Sequence, residues 1–403
     1  MSVDISLEQL HQIKLWYLVQ HSLSSFRKLI RHFGSAELAV QTKNLTQWKN
    51  LNIHESHLKR VAAYLTASGQ AQFERCLEKI QISCDKILTD CDTYYPQQLL
   101  TYTDRPPILF VKGQWQILNQ PQVAIVGSRK PSAHGKQVAY DFAYYLSDKG
   151  FYVISGLAQG IDEAAHLGAI QQQRTLAVVG TGLDLVYPPQ NKKLQTLILE
   201  ASGCIVSEFL PETPALQHHF PRRNRIVSGL SLAVLVAEAT LKSGSLITAK
   251  CAAEQGKMTF AIPGHIYSDF HQGCHQLIRE GAILVDHPEQ MVEDLALPTQ
   301  WQHQQQSLNL ISNASESVVK ADRELQTQHE QQSHPPQRRP EHHLAEHLLE
   351  IYQQLDWEGK DIDQLSAHLS ISVAELMAYL VDLELLGLCT QQYGRYLRCR
   401  ASH

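Results

Sequence analysis

The chain has eight cysteines but no C-x-x-C pair, so their spacing suggests no zinc site. It also lacks an excess of positive charge. Charged residues amount to 19% and sum to a net −5, so any nucleic-acid site must be a local patch rather than a uniformly basic coat. No apolar run approaches the ~18 residues of a membrane span, and Met1 to Gln12 lack a basic stretch followed by an apolar one. Neither a membrane segment nor a signal peptide is therefore expected, and with scattered thiols the expected location is the cytoplasm. A Walker A run, H-E-x-x-H and P-G-G-x-G-T-x-x-E are all missing. One strand–glycine loop invites comparison with the dinucleotide fingerprint, but it carries Arg129 where the second glycine belongs.

What is present is a chain of 403 residues, 43% hydrophobic, long enough for two or three folded domains. Residues 1–90 read as a helical domain: Leu15, Leu18 and Val19, then Phe26, Leu29, Ile30 and Phe33, recur at helical spacing, with Gly34 as a C-cap. From 91 to 297 apolar strands alternate with helices. Strands are expected at 108–111, 123–126, 152–155, 176–179, 204–207, 232–236, 259–262 and 282–285, in a parallel sheet covered on both faces. Residues 298–340, rich in Gln, His and Ser, read as a flexible linker. The segment 341–403 has three amphipathic helical stretches, a Ser372/Glu375 capping box and a probable hairpin around Gly394, the pattern of a winged helix. The fold class expected is α/β: an extended Rossmann-like parallel core with an N-terminal helical domain and a C-terminal winged-helix module.

Glycines gather at the strand C-terminal ends, where open α/β sheets bind ligands. Gly127 with Ser128, Gly156 with Gly160, and Gly180 with Gly182 are candidate phosphate loops, and Ser243-Gly244-Ser245 offers backbone N–H groups before a helix. Arg129 and Lys130 sit at the mouth of the first loop, and a guanidinium there suggests a clamped phosphate. The segment Phe220-Pro-Arg-Arg-Asn-Arg225 adds Arg222, Arg223 and Arg225 behind an aromatic ring able to stack on an unpaired base. Lys242 and Lys250 flank the serine loop. Between 220 and 257, six cations stand against Glu238 and Glu254. The arginines could instead pair with carboxylates of a dimer partner. Asp162 and His166, at i and i+4, would suit acid–base work in an enzyme acting on a nucleotide or phosphoribosyl group. The plainer reading has Asp162 capping its helix and His166 solvated.

Six runs in order carry a resemblance: Val123-Ala-Ile-Val-Gly-Ser-Arg129, Ser155-Gly-Leu-Ala-Gln-Gly-Ile-Asp162, Gly180-Thr-Gly-Leu-Asp184 with Tyr187-Pro188, Phe220 through Leu230, Glu238-Ala239 with Ser243 through Ala249, and Ile262-Pro-Gly264. Over about 95 to 290 the chain resembles the DNA-processing protein A (DprA/Smf) family. The resemblance implies an extended Rossmann domain that binds single-stranded DNA and forms a homodimer, with a SAM- or HhH-like helical domain before it. It also implies a mediator that loads the RecA recombinase onto incoming strands during natural transformation, with no cofactor and no catalysis. In the winged-helix segment, 372–386 carries Glu375, Asp382 and Glu384 and no Lys or Arg, which suits a protein-interaction module better than a reader of duplex DNA. Arg395, Arg398 and Arg400 leave weak backbone contact open.

Overall fold

The computed structural model describes residues 3–295 and parts of 351–398. The chain divides into two compact units, 1–317 and 318–403. The linker expected at 298–340 lies outside the described residues.

In the first unit, helices Leu7–Leu18 and Leu23–Phe33 follow the apolar spacing read from the sequence, and Glu55–Tyr64 and Ala67–Ser83 are further helices of the same segment. Ser6 and Gln9 close a reciprocal capping box at the first helix, and Gly34 ends the second in the left-handed conformation, where a residue without Cβ is unstrained. Trp16, Leu18, Phe26, Leu29, Trp48 and Ile80 are buried in one core with Ile108, Phe110 and Ile205 of the sheet. The helical segment is thus packed onto the sheet, not hung from it.

The sheet has nine strands: β1 (Lys86–Thr89), β2 (Ile108–Gly113), β3 (Gln122–Gly127), β4 (Tyr152–Ser155), β5 (Thr175–Val178), β6 (Cys204–Ser207), β7 (Ala233–Glu238), β8 (Met258–Ala261) and β9 (Ile283–Leu284). They lie in the order β1-β2-β6-β5-β4-β3-β7-β8-β9. From β6 to β9 the pairing is parallel, while β1 and β2 add an antiparallel margin. The sequence reading missed β1, a four-residue strand set off from the preceding helix by only Cys84 and Asp85. Its Ile87 is buried in the core shared with the N-terminal helices, remote in sequence, and its Leu88 in the core on the other face of the sheet. Gln9 Nε2 donates to Ile87 O (3.1 Å), so a side chain of the helical segment reaches the backbone of this edge strand.

Helices Ala133–Asp148 and Ile161–Ile170 cover one face of the sheet, and His219–Leu230 and Ser245–Glu254 the other. After β3 the chain winds outward through β4, β5 and β6, then returns to place β7 on the far side of β3. The winding therefore reverses between β3 and β7, and the crevice at their C-terminal ends is the topological switch point of an open α/β sheet.

In the second unit the described residues include a three-stranded antiparallel sheet of Lys360–Asp361, Arg395–Arg398 and Cys389–Gln392, and helix Ile362–Leu369. Ile351, Leu365, Leu376, Leu380, Leu383, Cys389 and Tyr396 form its core. The helices and hairpin match the winged-helix pattern. At the expected capping box, Glu375 N–H donates to Ser372 Oγ (3.4 Å), and the Glu375 carboxylate accepts from the Ser372 hydroxyl (2.8 Å). Gly394 and Arg400 lie outside the described residues.

Candidate nucleic-acid interface

The loop from Gly127 to Ser132 joins β3 to its helix, and the helix N-terminus is already occupied by an anion from the protein itself. Ser132 N–H donates to Glu238 Oε1 (2.9 Å), Ser132 Oγ donates to Glu238 Oε2 (2.6 Å), and Gly135 N–H donates to Ser132 Oγ (2.9 Å). Glu238 is fully buried at the end of β7. A phosphate at this helix dipole, the arrangement the strand–loop–helix pattern suggested, would have to displace a buried carboxylate. The loop is pinned instead by Ser128 N–H to Glu238 O (2.7 Å) and by Ile161 N–H to Ser128 O (3.2 Å). Arg129 and Lys130 are left exposed at its tip. The Arg129 guanidinium lies over the Phe220 ring, 4.9 Å from its centroid.

The three arginines of the 220–225 run part company. On helix His219–Leu230, Arg222 and Arg225 share one face, as their spacing requires, and that face turns away from the loops. Arg222 donates through Nε (3.0 Å) and Nη2 (2.9 Å) to the two carboxylate oxygens of Glu208, and Arg225 Nη2 donates to Oε2 (2.6 Å). The Glu208 side chain is fully buried. Arg225 also donates to Asp104 O, and Arg222 lies over the rings of Trp16 (5.4 Å) and Phe209 (5.2 Å). Trp16 Nε1 donates to Glu208 O (2.8 Å), and His21 Nε2 accepts from Leu210 N–H (3.2 Å). Burial, reinforced by the Arg222 charge, lowers the His21 pKa to about 3 and keeps the ring neutral. Arg222 and Arg225 are therefore the clamp between the helical segment and the sheet, and not groove cations. Their carboxylate comes from the same chain, which removes the need for a partner subunit's.

Arg223 faces the opposite way and is buried. Its Nη1 donates to Gly156 O (2.6 Å) and to Val178 O, and its Nε donates to Asn224 Oδ1 (3.1 Å). A Cβ on Gly156 would collide with the guanidinium, so glycine here makes room for an arginine. Asp162, also buried, accepts from Gly156 N–H (3.1 Å) and Ala158 N–H (3.4 Å). Burial raises the Asp162 pKa against the opposing charge of Arg223, and burial lowers that of Arg223 to about 10 against the charge of Asp162. The pair fixes the 156–160 loop from below.

These loops enclose a groove of about 860 Å³ at the switch point. Gly127, Ser128, Arg129 and Lys130 line one wall, and Lys242 with Ser243, Gly244 and Ser245 line another. Gly156, Arg223 and Phe220 lie between them. Arg129, Lys130 and Lys242 have no carboxylate partner among the described residues. Helix Ser245–Glu254 has no acidic cap: Gly244 offers no side chain, and the first N–H groups donate to neutral oxygens, Ser245 N–H to Ser243 Oγ (3.4 Å), Leu246 N–H to Ser243 O (3.2 Å) and Ile247 N–H to Gly244 O (3.2 Å), in contrast to the helix end that Glu238 covers. Several expected residues fall elsewhere. Lys250 is exposed outside the groove, 3.9 Å from Glu254. Gly160, with φ +88°, packs against Ser128 O, Gly182 backs onto Leu210 O, and Gly180 lies behind Phe220. These three glycines let loops approach one another; none of them lines the groove.

The sequence model described as DNA recombination-mediator protein A matches residues 86–296. The chain belongs to this family. Protein Smf of Escherichia coli (strain K12) is 38% identical over 308 residues, covering 76% of this chain and 75% of its own length. Protein Smf of Synechocystis sp. is 34% identical over 392 residues, covering 92% and 94%. The X-ray structure of DNA processing protein A from Streptococcus pneumoniae superposes with a TM-score of 0.61 at 32% identity, over 73% of this chain and 98% of that one. The model described as DprA winged helix domain matches residues 335–395, in agreement with the small sheet and helices of the second unit. A DNA recombination mediator is thus the class of protein whose groove is described above. Among the described residues no helix is long and apolar enough to cross a membrane.

The enzyme alternative loses its base. His166 is completely buried, with Nδ1 2.7 Å from Thr175 Oγ1, and burial together with the Arg223 charge lowers its pKa to about 3. It is neither the solvated side chain of the plainer reading nor reachable by a substrate. Asp162 caps the 156–158 backbone rather than its own helix. Sequence reasoning missed Glu208 and Glu238, the two buried carboxylates that organise the site. The available signal was an acidic residue at the end of an apolar strand, at Ser207-Glu208-Phe209 and Ala237-Glu238-Ala239. Such a residue is buried only if a cation or a helix N-terminus receives it.

Proposed function

We propose that this protein binds single-stranded DNA in the switch-point groove and, as a homodimer in the cytoplasm, loads the RecA recombinase onto it during natural transformation. The observation that carries the DNA reading is the set of cations Arg129, Lys130 and Lys242, which have no carboxylate partner among the described residues and converge with the Ser243–Ser245 loop on a groove that also holds an aromatic ring. Cations and backbone amides hold phosphates of any sequence, and aromatic faces accept any base, so binding is largely sequence-independent and favours unpaired strands. Family membership supports the hand-over to a recombinase, and the exposed Ile283 and Leu284 of the edge strand β9 leave a sheet margin for a second copy. The protein acts by holding and delivering a strand, with no bond made or broken.

Titration of oligo-dT against salt tests this reading. Arg129→Ala weakens binding and lowers the slope of log K against log salt by about one. Arg222→Ala leaves the slope unchanged, because that arginine touches no phosphate. An unchanged slope in Arg129→Ala, or equal affinity for duplex and single strand, refutes the groove assignment. Recruitment of the recombinase to the oligo-dT complex, and a sedimentation experiment showing a dimer, test the remainder.

A further inference from the structure

The groove has two unlike ends. At one, Lys242 and the Ser243–Ser245 loop meet helix His219–Leu230 at Asn224, whose Nδ2 lies 3.4 Å from Gly244 O. One turn earlier on the same helix, Phe220 marks the other end, and there the neighbour is Tyr187. The two rings lie 5.6 Å apart, inclined at 38°. Phe220 is half-buried, and the Arg129 guanidinium already covers its ring. Tyr187 is 41% exposed, and apolar side chains on the flanking segments are exposed as well, Leu185 at 38% and Leu216 at 41%. A tyrosine ring held against a phenylalanine yet open to water is an unfinished stack. Lys242 and the Ser243–Ser245 loop lie at the opposite end and Arg129 lies beside the rings, so a strand whose phosphates follow these cations brings its bases past this ring.

We propose that Tyr187 is the base-stacking residue of the groove, and that Phe220 serves mainly as the platform on which Tyr187 and Arg129 rest. This rests on the reading of the groove as a single-strand site. An unpaired base of any identity adds to the exposed face of Tyr187, extending the Phe220–Tyr187 pair by one ring.

The test compares oligo-dT with an abasic deoxyribose-phosphate strand of equal length, measured with the full chain. Tyr187→Ala weakens oligo-dT binding roughly tenfold and leaves abasic binding and the salt slope as they are in the parent protein. Tyr187→Leu, which keeps an apolar contact with Phe220 but has no ring, shows the same selective loss, and Tyr187→Phe restores most of it. Arg129→Ala, by contrast, weakens both strands. Equal loss on the abasic strand would mean that Tyr187 supports the loop or the backbone, and would overturn the assignment. So would undiminished oligo-dT binding by Tyr187→Ala alongside a selective loss in Phe220→Ala. If the parent protein binds neither strand, it is the single-strand reading itself that fails, a result separate from loss of selectivity in the Tyr187 variants.

Discussion

Replacing Glu208 by alanine should destabilise the first unit while leaving the groove's cations in place. Among the described residues Glu208 is the single carboxylate in contact with Arg222 and Arg225, its side chain fully buried and theirs 25% and 11% exposed. Removing one partner of such a group leaves charge that neither water nor another carboxylate can satisfy, typically at a cost of about 3–5 kcal/mol. Arg222 reaches some solvent and retains the Trp16 and Phe209 rings, so the lower bound, about 3 kcal/mol, is the expected loss. Glu208→Gln keeps an acceptor for one guanidinium and should lie between the parent and Glu208→Ala. The assay is urea unfolding followed by circular dichroism and by tryptophan fluorescence. Because Trp16 donates to Glu208 O, the fluorescence transition should move to lower urea at least as far as the dichroism transition. Arg222→Ala and Arg225→Ala should shift stability in the same direction without altering the salt slope for oligo-dT. A loss under about 1 kcal/mol in Glu208→Ala, the size of a surface pair, would refute the clamp. A flattened salt slope in Arg222→Ala would return that arginine to the DNA.

The remaining expectations concern burial, space and modularity. His21 and His166 are held neutral, burial lowering their pKa values from the ordinary 6.5 to about 3. Below pH 6.5 the unfolded chain binds protons that the folded chain refuses, so stability is unaffected by these groups above neutrality and falls as pH drops from 6.5 toward 3. From pH 7 to 5 the two together should remove about 4 kcal/mol, read from urea midpoints, and a flat profile would contradict their burial. Gly156→Ala sets a methyl against the Arg223 guanidinium and should cost about 1–3 kcal/mol together with a loss of oligo-dT affinity; unchanged affinity would show that the 156–160 loop does not shape the groove. A chain ending after Trp301 should retain most of its single-strand affinity, and loss of binding with the first unit still folded would assign that affinity to residues 302–403.

The sheet could be read from the sequence because each strand announces itself locally. Runs such as Val123–Val126 and Cys204–Val206 are apolar without a break, and glycines punctuate their ends. The groove could be found for the same reason, since Gly127, Gly156 and Ser243–Ser245 must meet wherever the strands' C-terminal ends meet. What could not be read was the direction in which a charged side chain points. Arg222 and Arg225 sit beside Phe220 in sequence and look like its companions, but their anion is 14 and 17 residues away and the ring beneath Arg222 is Trp16, roughly two hundred residues away. Long-range pairing decides whether a cation is free, and neither composition nor periodicity contains it. The same holds for Glu238, which lies 106 residues from the serine it receives and fills the helix N-terminus that a local reading assigns to phosphate.

One helix reconciles the two readings of the arginine-rich run. Successive residues of an α-helix are turned by about 100°, so Arg222 and Arg225 can face the N-terminal helices while Phe220, Arg223 and Asn224 face the groove. The element that supports the groove wall is therefore the element that carries the helical segment. Neither face can rotate alone: Arg223 anchors the helix to the 156–160 loop and β5, and Glu208 anchors it to the end of β6. A run that looks like a phosphate-binding patch is charged because two buried sites require it. The groove cations with no carboxylate partner among the described residues are those on the loops, Arg129, Lys130 and Lys242. In a chain of net charge −5, these three form a local concentration of positive charge at one sheet edge, the kind of patch that the proposed strand binding requires.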